Sequence, residues 1–462
     1  MRRSKFCSPG KSPVTPWQTS PMVPYQGLLK ATTGQSFENI SSMILHDESP
    51  TAAPYAEWIQ HQIRKYIDQS TTASLGRILE GKDSSANNTV REATADENGL
   101  VYILTDVATL LNANISSSID SLARALVAKG RLRPYVDKSL EQKEAYHLIF
   151  MAIGWLCLLY LPAWGIQVDK VFFRIEVEGK HCFASASQST DRGRRPFAEV
   201  LRGFGSILPR KKDQSSIGSN GRQGSLSVGT MNAATLYTLG NIQISWTATV
   251  SAHLDFDEET RTLCLFRLPS FCVVNSSTET LFNRLVEILH DDHTRPTGFS
   301  GPAFLREIER SYHLIFRNDD RARRNYEKHQ RPQLATLDGG LIDSKLDVLC
   351  GFSSFKQSTK TESIKDNYSF EGDFPIFTPH LRKIQEYMLE QQPRKMKAIW
   401  QDKMDLKLWY AFWTVVFFGV VGIILSLIQT ICAAIQTAFA IKAYREQQSR
   451  QSSQGSTGTS AG

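Results

Sequence analysis

Apolar residues recur along this chain with two different periods, and the change from one to the other marks its parts. Trp58, Ile59, Ile63, Tyr66 and Ile67 fall three and four apart, as do Leu104, Val107, Leu110 and Leu111, then Ile115, Ile119, Leu122 and Leu126. That spacing predicts amphipathic helices, with a polar linker over 81–99 between the first two. From residue 171 the period shortens. Residues 171–177 read as a strand, and Ile242, Ile244, Trp246, Ala248 and Val250 alternate with polar neighbours, as in a strand buried on one face. Residues 253–266 read as an antiparallel hairpin with a polar turn at Asp257–Thr260 and alternating inward side chains. Helical spacing then returns. Leu281, Leu285, Ile288 and Leu289 form one face, and Pro302 opens a helix that turns Phe304, Ile308, Tyr312, Ile315 and Phe316 inward.

Two stretches break both patterns by being apolar throughout. Residues 408–441 contain no charge and are bracketed by Lys407 and Lys442. A helix of that length measures ~51 Å, against the ~30 Å hydrocarbon core of a bilayer. The reading is therefore a transmembrane helix with its core near 411–431 and an interfacial extension. Trp409, Tyr410 and Trp413 stand at its start, where amphipathic rings favour the headgroup level. The second stretch, 148–168, is interrupted by Gly154 and Pro162. Only about 14 residues precede the proline, spanning ~21 Å, so the segment is read as a buried core helix, with a second membrane span as the alternative.

These elements predict an α+β architecture: helices flanking a mainly antiparallel sheet, plus one C-terminal transmembrane helix. Residues 1–54 repeat Pro, Ser and Thr with little periodic apolar content and are read as disordered. Residues 55–168 form a helical region and 169–405 an α+β region with a flexible basic Ser/Gly loop at 184–229. Residues 442–462 form a disordered polar tail. Within 184–229, Phe197, Val200, Leu201, Phe204, Ile207 and Leu208 share a helical face with arginines and lysines around it. A helix over 194–212 would suit either the core or an anionic membrane surface, and Gly203 and Gly205 weaken it.

Charge changes the picture only near the membrane segment. The net charge is +7, from 53 Lys and Arg against 46 Asp and Glu, so the surface is mostly mixed. It shows no basic stripe with interleaved aromatics, and the reading includes no nucleic-acid partner. Arg394, Lys395, Lys397, Lys403 and Lys407 precede the span, and Lys442, Arg445 and Arg450 follow it. That excess, with no apolar run near Met1 of the kind a secretory signal needs, places the body in the cytosol. The sequons at Asn39, Asn87, Asn114, Asn275 and Asn367 would then be unused, since they serve as acceptors only in the lumen. Gly422, Ser426 and Thr430 fall four apart, a small-residue face suited to helix–helix packing and homo-oligomer formation within the bilayer.

Candidate chemistry is sparse. No nucleotide, dinucleotide, zinc-protease, serine-hydrolase or kinase motif occurs, so no catalytic residue, cofactor or metal is assigned. His290-Asp-Asp-His293 has ligand types for zinc or iron but follows a helix where polar loop residues are expected. His181-Cys182 and His253 lie in strand patterns, and nothing in the spacing brings them together as a thiol–imidazole pair. Ser225, three residues after Arg222, is a candidate phosphorylation site in a flexible segment.

Some runs of words are distinctive in order: Thr235-Leu-Tyr-Thr-Leu-Gly-Asn-Ile-Gln-Ile-Ser-Trp246, His253-Leu-Asp-Phe256, and Thr262-Leu-Cys-Leu-Phe-Arg-Leu-Pro-Ser-Phe-Cys272. So are Ser311-Tyr-His-Leu-Ile-Phe316 with Arg321 to Arg324, and Trp409-Tyr-Ala-Phe-Trp413. Over roughly residues 100–440 the chain resembles a large family of uncharacterised filamentous-fungal proteins with one C-terminal membrane helix. The resemblance implies a single-span anchor and places the segment matching 148–161 in the body. It implies no activity, substrate or site residue. The expectation is a membrane-anchored, non-enzymatic interaction or scaffold protein. The alternative is an enzyme of unrecognised class or an accessory protein of a fungal biosynthetic pathway.

Overall fold

The structure is a computed structural model that describes residues 52–69, 75, 77–79, 89–163, 172–176, 187–205, 207–209, 225–277, 279–290, 298–352, 365–391 and 406–454. Its helical region comprises α1 (Ala53–Gln69), α2 (Thr89–Ala113), α3 (Ile119–Ala128) and α4 (Leu140–Cys157). Ser118 and Ser139 cap α3 and α4 by accepting the amides of Ser121 and Gln142, donors that the first helical turn would otherwise leave unpaired. Helix α2 begins at Thr89, so the second half of the segment read as a polar linker is helical.

Helix α4 carries the apolar run at 148–168. Every residue from Ala145 to Cys157 is buried, and the helix packs against α2 and α3. Its end follows from the residues that interrupt the run. Leu158 takes a left-handed conformation at φ 47° and its amide closes onto the Gly154 carbonyl. The chain then folds back so tightly that a Cβ on Gly154 would lie 2.9 Å from both Tyr160 and Pro162. Residues 158–163 stay buried, and 164–168 lie outside the described residues.

The strands form three small sheets. In the first, β1 (Leu161–Pro162), β2 (Phe172–Glu176) and β3 (Ser187–Ser189) run antiparallel in that order. In the second, β4 (Ser225–Ser227) pairs antiparallel with β8 (Asn367–Ser369). The third contains β5 (Gln243–Thr247), β6 (Phe256–Asp257) and β7 (Thr262–Phe266), with β7 in the centre. Strands β6 and β7 form the expected antiparallel hairpin, Phe256 facing Leu263 and Asp257 facing Thr262. The Asp257 carboxylate accepts the amides of Glu259 and Thr260 and so fixes the turn. Strand β5, by contrast, runs parallel to β7. Nor does β7 alternate: Leu263, Cys264, Leu265 and Phe266 are all buried, because a central strand covered on both faces has no wet side.

Within 184–229 the described residues are 187–205, 207–209 and 225–229. Strand β3 leads through a 3-10 turn (Thr190–Arg194) into α5 (Phe197–Arg202). Helix α5 is far shorter than the 194–212 segment suggested by the pattern. It stops at Gly203, and Gly205 takes φ 103°, which breaks the helical path. Phe197, Val200, Leu201, Phe204, Ile207 and Leu208 all lie in the core, so this apolar face is already covered by the body.

The last third of the body is helical: α6 (Leu281–Leu289), α7 (Gly301–Tyr312, capped by Ser300), a π-helical turn (His313–Arg317) and α8 (Thr378–Gln391). Sheet and helices share one core. Trp246 of β5 stacks on Phe316 at 6.0 Å, and its Nε1 donates to Gln330 Oε1 at 3.1 Å. One helix stands apart from this core: α9 (Leu406–Gln454), 49 residues long. From Trp413 to Arg450 it is long and apolar enough to cross a membrane, with a mean hydropathy of 2.5 and none of that apolar window buried. The helix also takes in the first part of the segment read as a disordered tail, ending at Gln454.

Candidate functional site

The most concentrated polar chemistry in the body is buried where β7 meets α7. His253 and Ser311 are both fully buried. His253 Nδ1 accepts the Phe266 amide at 3.1 Å, which leaves the imidazole proton on Nε2. Nε2 therefore donates to Ser311 Oγ, 2.8 Å away, and Ser311 passes its own proton to the Ile308 carbonyl at 2.7 Å. A nucleophile–base pair requires the opposite sense, with the hydroxyl donating to the ring. Burial, reinforced by nearby His380, lowers the His253 pKa to about 3 and keeps the ring neutral. The arrangement ties the turn at 253 to α7, and the Tyr312 hydroxyl adds a bond to the Phe266 carbonyl.

Two carboxylates do similar work. Glu307, on α7 and 2% exposed, accepts the Ile376 amide at 3.0 Å and the Phe377 amide at 2.9 Å, gripping the chain as it enters α8. Burial raises its pKa to about 7, against the pull of those amides and of Arg310. Asp343, also buried, accepts the amides of Ser270 at 2.8 Å and Lys345 at 2.9 Å, and burial raises it to about 6. Just past the same end of β7, Arg267 pairs with Asp338, whose carboxylate also accepts Trp58 Nε1 at 2.8 Å. Each of these groups is aimed at the protein's own backbone or at a partner within the core. Periodicity missed Ser311 and Glu307. The available signal was a serine and a glutamate set among the inward positions of α7, beside Phe304, Ile308 and Tyr312.

The positions singled out from the sequence are scattered. His290 packs edge-on against Phe299 at 3.9 Å, and residues 291–293 lie outside the described residues. His181 and Cys182 also lie outside them, and the partner of His253 is Ser311. Among the described residues, no group of three His, Cys, Asp or Glu side chains is placed to hold a metal ion. Ser225 is exposed at the start of β4, but Leu226 beside it is fully buried and the Ser225 carbonyl accepts Gln385 Nε2 at 3.2 Å.

The sequons differ sharply. Asn39 and Asn87 lie outside the described residues. Asn114 is exposed in a turn, its Oδ1 accepting the Ser116 amide at 3.1 Å, and Asn367 is exposed in β8. Asn275 is 6% exposed, and its Nδ2, the atom a glycan would occupy, donates to the Phe271 carbonyl at 3.0 Å.

The other candidate surface is α9 itself. Gly419, Gly422, Ser426 and Thr430 line a shallow open groove with Ile423, Leu427 and Ile431. Thr430 closes its hydroxyl onto the Ser426 carbonyl at 2.8 Å, and Thr437 does the same onto Ala433. Those hydroxyls are satisfied within the helix, as an apolar solvent requires. No protein-family model, no curated protein and no solved structure matches this chain.

Proposed function

We propose that the chain is a single-span membrane protein whose body faces the cytosol and works as a tethered interaction or scaffold protein, with α9 as its anchor and as the face through which copies associate. The observation that carries the anchor is a contrast between two apolar segments. The run in α4 is buried, whereas α9 leaves Val415, Phe417, Phe418, Ile423, Leu427 and Phe439 all more than half exposed. Moving such side chains from water to hydrocarbon is favourable by ~1.5–3 kcal/mol each. Summed over the fourteen apolar residues of α9 between Val415 and Ile441 that are 37% or more exposed, the gain is on the order of 20 kcal/mol or more. No ordinary surface helix carries such a penalty in water.

Two observations support a cytosolic body. Five cations precede the span and three follow it. In addition, a glycan on Asn275 would have to force a sugar into the core, because that side chain is buried. The non-enzymatic reading is favoured by the inward aim of the buried ionisable groups, which hold the chain's own turns and helix ends. Orientation is the testable part. Endoglycosidase treatment of the full-length protein should leave its mobility unchanged, and a sequon added near Gly455 should acquire a glycan. A mobility shift in the unmodified protein, traced to exposed Asn114 or Asn367, would put the body in the lumen and overturn this reading.

A further inference from the structure

Resting on the membrane-anchor reading, we infer that α9 pairs with α9 of a second copy of this chain, parallel and in register, through a seam centred on the Gln429 amide. The small-residue groove alone does not carry this; the two glutamines do. Thr430 and Thr437 satisfy their hydroxyls on their own helix, but a glutamine amide has two donors and an acceptor on a stem that reaches away from the backbone. Gln429 and Gln436 are both exposed. Measured from Trp413 at the headgroup level, Gln429 lies ~24 Å along the helix axis and Gln436 ~35 Å, against a ~30 Å hydrocarbon core. Gln429 is therefore inside the hydrocarbon and Gln436 at its far edge. An amide in hydrocarbon costs several kcal/mol without a partner.

The identity of the partner follows from sequence register. Seven residues before Gln429 is Gly422 and seven after it is Gln436; the flanking line, also spaced by seven, is Gly419, Ser426 and Ala433. At ~100° per residue these six positions occupy an arc of about 100°. The opposite side carries the bulky residues, including Phe417, Ile424, Ile428 and Ile435. A seven-residue repeat matches a left-handed crossing of near-parallel helices, and small side chains let the backbones approach closely. An amide is complementary to a second copy of itself, because its N–H can donate to the other's C=O while accepting in return. Two copies anchored with the same topology bring Gln429 to the same depth, where that exchange can occur. A free lipid tail offers no such partner.

The test uses the full-length protein in membranes, in a background with Cys7, Cys182 and Cys432 changed to Ser, with one cysteine at a time placed around α9; Cys157, Cys264, Cys272 and Cys350 are buried in the body. Oxidation should give dimers from cysteines at 422, 426 and 433 and little from 424, 428 and 435. In the native-cysteine chain, Gln429→Leu should weaken self-association about ten-fold, Gln436→Leu less, and Gln429→Asn should restore much of it. Cross-linking equal on all faces, cross-linking centred on 428 and 435, adducts with a chain of different mass, or unchanged association in Gln429→Leu would each overturn the seam. Carbonate extraction of the same membranes separates the two failures. Protein that stays in the pellet without the predicted cross-links refutes only the seam, whereas protein released to the supernatant refutes the anchor beneath it.

Discussion

Glu307 shows how much of the body depends on single buried groups. It alone accepts the amides of Ile376 and Phe377, neither of which can reach water. Glu307→Ala should leave those donors unpaired at ~1–3 kcal/mol each, lowering stability by about 2–6 kcal/mol in chemical denaturation. The pH dependence carries a second signature. Because burial raises the folded-state pKa to about 7 from the usual 4.5, Glu307 contributes stability that is fully present below about pH 4.5. That contribution is lost as pH rises through about 7, and amounts to ~3 kcal/mol. His253 acts in the opposite sense. Its folded pKa near 3 gives stability that is present above 6.5 and lost as pH falls. Subtracting the Glu307→Ala pH profile from that of the unmodified protein should isolate a decline between pH 4.5 and 7. A flat difference would mean that the amides outweigh burial and hold the carboxylate ionised at all these pH values. Spacing hinted that Glu307 lies among inward positions but not what it holds. The amides it accepts belong to a segment some 70 residues away.

At the scale of elements, helices were more legible than sheet pairing, for a physical reason. A helix buries one face of its own sequence, so its period is local. Pairing depends on which distant strand arrives beside it. The hairpin β6–β7 was readable because its turn is local and Asp257 fixes it. The parallel partner β5 was not, because it joins β7 from outside the hairpin and no local turn sets its register. The same logic explains α5. Its apolar spacing was correct about burial, but Gly203 and Gly205 end the helix early. A consequence for β7 can be measured. Leu265, fully buried in the central strand, changed to Asp should destabilise the body by about 4 kcal/mol or more. Glu258→Gln in the turn should change stability by less than about 0.5 kcal/mol, because its contact with Lys383, at 3.7 Å, is between two half-exposed side chains. Equal effects from the two substitutions would contradict the register.

For the whole molecule, composition and charge run identified the one long apolar helix that, among the described residues, this core does not cover. What the sequence left open was the second apolar run, because length alone does not separate a short span from a core helix. Gly154 and Pro162 turn the chain back onto α4, and the apolar run of that helix is buried in the body. The body therefore has its own closed core, and α9 is the element whose apolar surface needs a different solvent. The most direct measurement is flotation of two chains side by side after carbonate and high-salt washing: the full length, and one ending at Asp405. The full chain should float with membranes and require detergent for release, and the shortened chain should remain soluble and folded. A shortened chain that still floats would contradict the single anchor and place the 148–168 run in the bilayer.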